Sequence, residues 1–97
     1  MISPPMYYEW DLQKDSENLH KHGVALAEGI RAFEDPNAEF WIDDRYDYGE
    51  EWIFTLGRAQ QGILYVVTTE IAANLIRIIS VRKAETYEEA WYYQGRP

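Results

Sequence analysis

The segment from residue 14 to residue 22 carries lysine, asparagine and histidine at helical spacing. Lys14, Asn18 and Lys21 are separated by four and three residues, so a helix would place them side by side on one surface stripe. Such a stripe is a candidate ligand-binding surface, although a helix face exposed only to solvent has the same spacing. His22 lies at its edge and is a candidate general base, because imidazole titrates near neutral pH. The alternative is a histidine that stabilises the end of a helix.

Two arginines interrupt the apolar segment that runs from Ile76 to Lys83. Burying either one is costly without an anionic partner, for which Glu70 is a candidate. Side chains alternate along a regular strand, so Arg77 and Arg82 are expected to face opposite sides of a sheet. A shared site would require a β-bulge, or a position of Arg82 beyond the strand end.

Arg58, in a predicted hairpin turn, is a third candidate cation, with simple solvation as the alternative. The chain offers no glycine-rich phosphate loop, no HExxH and no GxSxG. With only two histidines, a histidine-rich metal site is excluded. The absence of cysteine excludes disulfides and thiolate zinc sites. No apolar stretch approaches the roughly 18 residues of a membrane span, and Met1–Met6 lacks a basic, apolar leader, so we expect a cytoplasmic protein.

The net charge of −8 is unevenly distributed. Residues 1–56 hold 13 Asp or Glu against 4 Lys or Arg, whereas residues 57–97 hold 4 against 5. The segment Glu34–Glu51 is the most acidic, but its loop does not match a calcium-binding loop, since Tyr46 and Tyr48 occupy two ligand positions. We therefore predict no metal site here, and an acidic surface suited to a basic partner.

The elements that must position these residues follow from caps and periodicity. Asp11 is a suitable N-cap and Gly23 a suitable C-terminal stop for a helix over Leu12–His22, whose apolar contacts would be Leu12 and Leu19. Thr86 and Glu89 have capping-box spacing for a last helix. The other predicted elements are a strand at Met6–Trp10, a helix at Ala25–Phe33, strands at Ala38–Ile42, Glu51–Leu56, Ile63–Thr69 and Leu75–Arg82, and an end of the last helix near Tyr93. Strands joined by tight turns predict an antiparallel four-stranded meander, hence one α+β domain over residues 1–97.

The motifs together resemble those of the BrnT-type toxins of bacterial toxin–antitoxin pairs. That family opens with an aromatic-Glu-Trp-Asp segment followed by Lys, Asn and Lys-His-Gly-Val at set spacings, which here are Tyr8, Glu9, Trp10, Asp11, Lys14, Asn18, Lys21, His22, Gly23 and Val24. It continues with Phe-x-Asp-Pro, a Gly-Arg hairpin and Arg-Ile-Ile-Ser-x-Arg-x-Ala, which here are Phe33–Pro36, Gly57-Arg58 and Arg77–Ala84. The resemblance spans about residues 7–93 in the right order.

The resemblance implies a fold similar to the RelE-type ribonuclease toxins, cleavage of RNA without a metal or cofactor, and neutralisation by a ribbon-helix-helix antitoxin. DNA would be contacted only through that antitoxin. The phosphate or transition-state contacts it implies are Lys14, Lys21, Arg58, Arg77 and Arg82, with His22 as the acid–base group and Asn18 and Lys83 as further substrate contacts. Family members often have an arginine where this chain has Trp52. Together with the acidity, this leaves open a catalytically degenerate homologue that acts as a protein-interaction module, and an unrelated acidic α+β domain is a third alternative.

Overall fold

The computed structural model describes residues 5–43 and 49–97. These form an α+β structure, as predicted. The elements in chain order are β1 (Tyr7–Glu9), α1 (Leu12–His22), a 3-10 turn (Leu26–Glu28), α2 (Gly29–Phe33), β2 (Glu39–Asp43), β3 (Trp52–Ala59), β4 (Gly62–Ala72), β5 (Leu75–Lys83) and α3 (Thr86–Gln94). None of the described helices is long and apolar enough to span a membrane.

The sheet contains the predicted meander and one further strand. The spatial order is β1-β5-β4-β3-β2, and the pairs β2–β3, β3–β4 and β4–β5 are antiparallel. The first strand, β1, pairs parallel with β5 and places Glu9 opposite Arg77. The sheet is therefore mixed. The long connection that a parallel pair requires is supplied by the two N-terminal helices and the strands that follow them.

One face of the sheet is covered by α1, the 3-10 turn and α2. Its core consists of Val24, Leu26, Ala32, Leu64, Val66, Ile78 and Val81. Gly57 of β3 lies directly beneath α2, and a Cβ at this position would fall 1.9 Å from the carbonyl oxygen of Ala32. Glycine is therefore needed here for the close approach of helix and strand, and it is not a turn residue as the hairpin prediction supposed.

The opposite face is covered at one end by α3. Leu56, Ile63 and Tyr92 are buried there, with Trp41, Tyr65, Ala84 and Trp91 packed against them. The aromatic residues of the chain thus contribute a second, smaller core.

Helix α1 has the predicted bounds but buries a different residue. Asp11 accepts a hydrogen bond from the Lys14 N–H, and Gly23 ends the helix with φ of 72°. Leu12 and Leu19, the predicted apolar contacts, are 80% and 52% exposed, whereas Asn18 is only 8% exposed. The prediction of a leucine contact was wrong because the helix is held by hydrogen bonds of Asn18.

Other boundaries also differ from the predictions. The second helix begins only at Gly29, after a 3-10 turn, and Gly29 packs closely on Val81 and Val66. The first hairpin has a two-residue turn, since β3 continues to Ala59 and β4 begins at Gly62. The capping box of α3 uses Glu85 and Glu88 and lies one residue before the predicted pair. Most of the acidic loop, residues 44–48, lies outside the described residues.

Candidate functional site

Asn18 fixes α1 against the open edge of β5. Strand β1 pairs only with Leu75–Arg77 of β5, so within residues 5–43 and 49–97 the later part of that edge has no neighbouring strand. The Asn18 side chain accepts a hydrogen bond from the Val81 N–H (3.2 Å) and donates to the carbonyls of Val81 and Val24 (both 2.8 Å). The amide replaces the pairing that an adjacent strand would supply. Asn18, predicted as a substrate contact, therefore positions the helix that carries Lys14 and Lys21.

Between α1 and this edge lies a groove, hereafter the α1 groove. It consists of a cavity of about 370 Å³ whose polar lining is Glu9, Asp11, Lys14 and Arg77, and an adjoining cavity of about 210 Å³ that reaches Glu17, Lys21, His22 and Ser80. Lys14 and Ile79 line both cavities, so the two are continuous. Four of the residues predicted to act in RNA cleavage, Lys14, Lys21, His22 and Arg77, thus line one groove.

The groove contains cations that remain accessible. Arg77 Nη2 lies 3.2 Å from Glu9 Oε1, but the two side chains are 48% and 41% exposed, so solvent screens this ion pair. Lys14 and Lys21 are exposed and form no ion pair with any other described residue. The groove can therefore contact an anion through three cationic side chains, while Glu9 and His22 offer groups that can accept a proton.

Sequence reasoning missed Glu9 as a site residue. Its position beside Arg77 follows from the parallel pairing of β1 with β5, which joins residues 68 apart in the chain. The signals available were its position in the aromatic-Glu-Trp-Asp motif and its place at the end of a short strand directly before the N-cap Asp11.

A β-bulge at Ile79 places Arg77 and Arg82 on the same face of the sheet. On β4, Val67 pairs with Ser80 and Thr68 pairs with Ile78, so Ile79 has no opposite residue. The partners of the two arginines, Thr69 and Tyr65, are four residues apart on β4 and therefore share a face. The expectation of opposite faces, which assumed a regular strand, was wrong, and the bulge named as the alternative is present.

Arg82 is bound by a carboxylate. Its Nη1 and Nη2 donate to Glu88 Oε1 and Oε2 at 2.8 and 2.9 Å, and its Cζ lies 4.1 Å from the centre of the Tyr65 ring. Glu88 is 2% exposed. The hydrogen bonds with Glu88 raise the pKa of the Arg82 guanidinium, against the opposing effect of burial. This bidentate pair ties α3 to β5 and neutralises the charge of Arg82.

Arg58 belongs to a cluster at the other end of α3. Its guanidinium donates to the Tyr93 hydroxyl and lies over the rings of Tyr92 and Tyr93 at 5.7–5.8 Å, while its backbone N–H donates to Asp35 at 2.7 Å. Burial raises the pKa of Asp35, but hydrogen bonds from Tyr92 and from two backbone N–H groups outweigh it and lower the pKa. Arg58 thus lies outside the α1 groove.

The remaining predicted contact, Lys83, is exposed at the end of β5 and lines neither cavity of the groove. Among residues 5–43 and 49–97, no three His, Asp or Glu side chains are grouped so that they could hold a metal ion.

Comparison with known proteins gives two findings. A family model described as the ribonuclease toxin, BrnT, of a type II toxin–antitoxin system matches residues 10–88. The crystal structure of the Brucella abortus ribonuclease toxin, BrnT, is similar with a TM-score of 0.64 and 21% sequence identity, covering 84% of this chain and 99% of that one. At that identity the structural match shows a common fold alone. No curated protein matches the chain.

Proposed function

The chain belongs to the BrnT family of ribonuclease toxins from type II toxin–antitoxin systems, and on this premise we propose that it cleaves RNA in the α1 groove without a metal ion. The observation that carries the proposal is the convergence of Lys14 and Arg77 on one cavity of about 370 Å³. A protein with net charge −8 repels RNA as a whole, so local cations must supply the attraction. The groove is where accessible cations are grouped.

The proposed reaction is attack of a ribose 2′-hydroxyl on the adjacent phosphorus. The 2′-oxygen forms a bond to phosphorus, the bond to the 5′-oxygen of the next nucleotide breaks, and a cyclic phosphate results. Lys14 and Arg77 stabilise the charge that develops on the phosphate oxygens. His22 takes the proton from the 2′-hydroxyl and gives it to the departing 5′-oxygen. Glu9 orients the guanidinium of Arg77 through their ion pair. Lys21 binds the neighbouring phosphate further along the groove.

The proposed neutralising partner is a basic ribbon-helix-helix antitoxin, through which alone the toxin is associated with DNA. Its docking surface is the edge strand β2, where Phe40 and Ile42 are 50% and 52% exposed. Glu39, Glu50 and Glu51 lie at the ends of β2 and β3 and give this edge a negative potential. Exposed apolar side chains surrounded by acids suit a basic, amphipathic segment.

The experiment that tests this function is cleavage of a defined RNA oligonucleotide by antitoxin-free toxin in EDTA. We expect a 2′,3′-cyclic phosphate product by mass spectrometry, no cleavage of the 2′-O-methyl version, and a loss of about 100-fold or more in rate for Lys14→Ala. Cleavage that EDTA abolishes and Mg²⁺ restores would contradict metal independence. Intact RNA from folded protein would instead favour the non-catalytic interaction module, for which the acidity and Trp52 are the sequence observations.

A further inference from the structure

A second cavity, hereafter the α3 cleft, lies on the opposite side of the sheet from α1. It has a volume of about 280 Å³, and its aromatic walls are Trp41, Tyr65, Tyr87 and Trp91. All four rings keep solvent-exposed surface, and Tyr87 is 57% exposed. Partly exposed rings grouped around a cavity offer apolar surface to a ligand.

Each ring meets a neighbour edge to face, and arginines lie over two of the rings, Arg82 over Tyr65 at 4.1 Å and Arg96 over Trp41 at 4.9 Å. Tyr87 and Trp91 are 5.2 Å apart at 78°, and Trp41 and Trp91 are 6.1 Å apart at 84°. Trp41 contacts Tyr65 at 68° and 6.0 Å. Tyr87, the most exposed of the four, is therefore the ring most open to a ligand.

The cleft has buried carboxylates in its lining and an exposed arginine at its rim. Asp43 and Glu88, 7% and 2% exposed, contribute buried carboxylates to the lining. The guanidinium of Arg82 is already bound to Glu88. These carboxylates would repel a phosphate inside the cleft but not a neutral base. Arg96 is exposed at the rim, 4.9 Å from the centre of the Trp41 ring, where a phosphate next to the base can reach it.

The bulge at Ile79 connects the cleft with the proposed site. Because it places Arg77 and Arg82 on one face, the end of the α1 groove and the α3 cleft are accessible from the same side of the sheet. The β4 partners of the two arginines are four residues apart, a distance of about 13 Å along the strand. A short single-stranded segment can bridge that distance.

From these observations we infer that the α3 cleft binds an unpaired nucleobase of the RNA that is cleaved in the α1 groove. The inference rests on the proposed function and adds a specificity-determining contact to it. Proteins that bind single strands stack bases on aromatic side chains and hold the backbone with arginine, which is the combination found here.

The test measures binding separately from cleavage. Labelled 2′-O-methyl hexanucleotides, one for each base, lack the attacking hydroxyl and are titrated against the toxin by fluorescence anisotropy. Tyr87→Ala is expected to weaken the best hexamer about 5- to 150-fold, the effect of losing one base–aromatic stack. Tyr87→Phe keeps the ring and retains affinity. Tyr7→Ala is the matched control, since Tyr7 is also 57% exposed but does not line the cleft.

A hexamer with an abasic position supplies a second readout. The wild type is expected to bind it more weakly by the same factor, and Tyr87→Ala should cause no further loss. Equal binding of normal and abasic hexamers, or Tyr87→Ala affinity within twofold of the wild type, would overturn the inference. Loss of antitoxin binding alone in Tyr87→Ala would assign the cleft to the protein partner and overturn it as well. If the wild type cuts no RNA but still shows base-dependent binding, the proposed cleavage is refuted, whereas the inference that the α3 cleft binds a base is retained.

Discussion

Replacing Asn18 by alanine should unfold the toxin more readily without removing a substrate contact. The side chain makes three hydrogen bonds to buried backbone groups, two as donor at 2.8 Å and one as acceptor at 3.2 Å. Alanine leaves the N–H and carbonyl of Val81 and the carbonyl of Val24 without this partner. Each net hydrogen bond contributes about 1 kcal/mol, and each buried group left unsatisfied costs about 1–3 kcal/mol.

Three groups at about 1 kcal/mol each, the low end of the second range because water can enter the groove, give the decrease of about 3 kcal/mol that we expect in the free energy of unfolding of Asn18→Ala. For a domain of this size, that corresponds to a decrease in Tm of roughly 12 to 24 °C. The assay is thermal and urea unfolding followed by circular dichroism.

The matched control is Lys21→Ala, one turn further along the same helix. Lys21 is exposed and makes no hydrogen bond or ion pair through its side chain within the described residues. This variant should keep its Tm within about 2 °C, since surface substitutions usually change stability by less than about 0.5 kcal/mol, yet lose RNA cleavage. A wild-type Tm for Asn18→Ala would refute the argument that this amide holds α1 on the sheet edge.

Three further predictions concern packing, pH and association. Gly57→Ala should destabilise the fold by about 3 kcal/mol in urea unfolding, because its Cβ would overlap the Ala32 carbonyl; unchanged stability would contradict the close approach. The folded-state pKa of Asp35 lies below the unfolded-state pKa of about 3.9. Its hydrogen-bonded carboxylate therefore stabilises the protein fully above about pH 3.9, and this stabilisation is lost as the pH falls through the folded-state pKa. Asp35→Asn should have a lower free energy of unfolding at neutral pH and should lose less of it in acid. Urea unfolding between neutral and acidic pH measures this, and a pH dependence equal to that of the wild type would contradict the prediction. Antitoxin association should slow as salt rises from about 0.05 to 0.5 M, since screening weakens steering by the acidic edge; a salt-independent rate would argue against that edge.

Local signals predicted the elements well. The bounds of α1 were predicted correctly because Asp11 and Gly23 cap the helix through hydrogen bonds with residues three and four positions away. The capping box of α3 was predicted one residue too late, because residue spacing alone does not distinguish Glu88 from Glu89. Glu88 also binds Arg82 of β5, a contact that no local pattern indicates.

The arrangement of the candidate site depended on contacts between distant parts of the chain. Asn18 bonds to Val81, 63 residues away, so its spacing with Lys14 and Lys21 did not indicate that this amide holds α1 on β5. Glu9 joins the site only through the parallel pairing of β1 with β5. The bulge at Ile79 reverses the side-chain alternation between Arg77 and Arg82, and nothing in the residues of β5 marks it.

The central claim is that the cations of the α1 groove cleave RNA without a metal. The most direct test incubates purified, antitoxin-free toxin with bulk RNA in EDTA, beside Arg77→Ala and, as a matched control, Arg31→Ala, an exposed arginine outside the groove. Cleavage by the wild type and Arg31→Ala, with a loss of about 100-fold or more in Arg77→Ala, is the predicted result. Equal cleavage by all three proteins, or intact RNA with folded wild type, would contradict it.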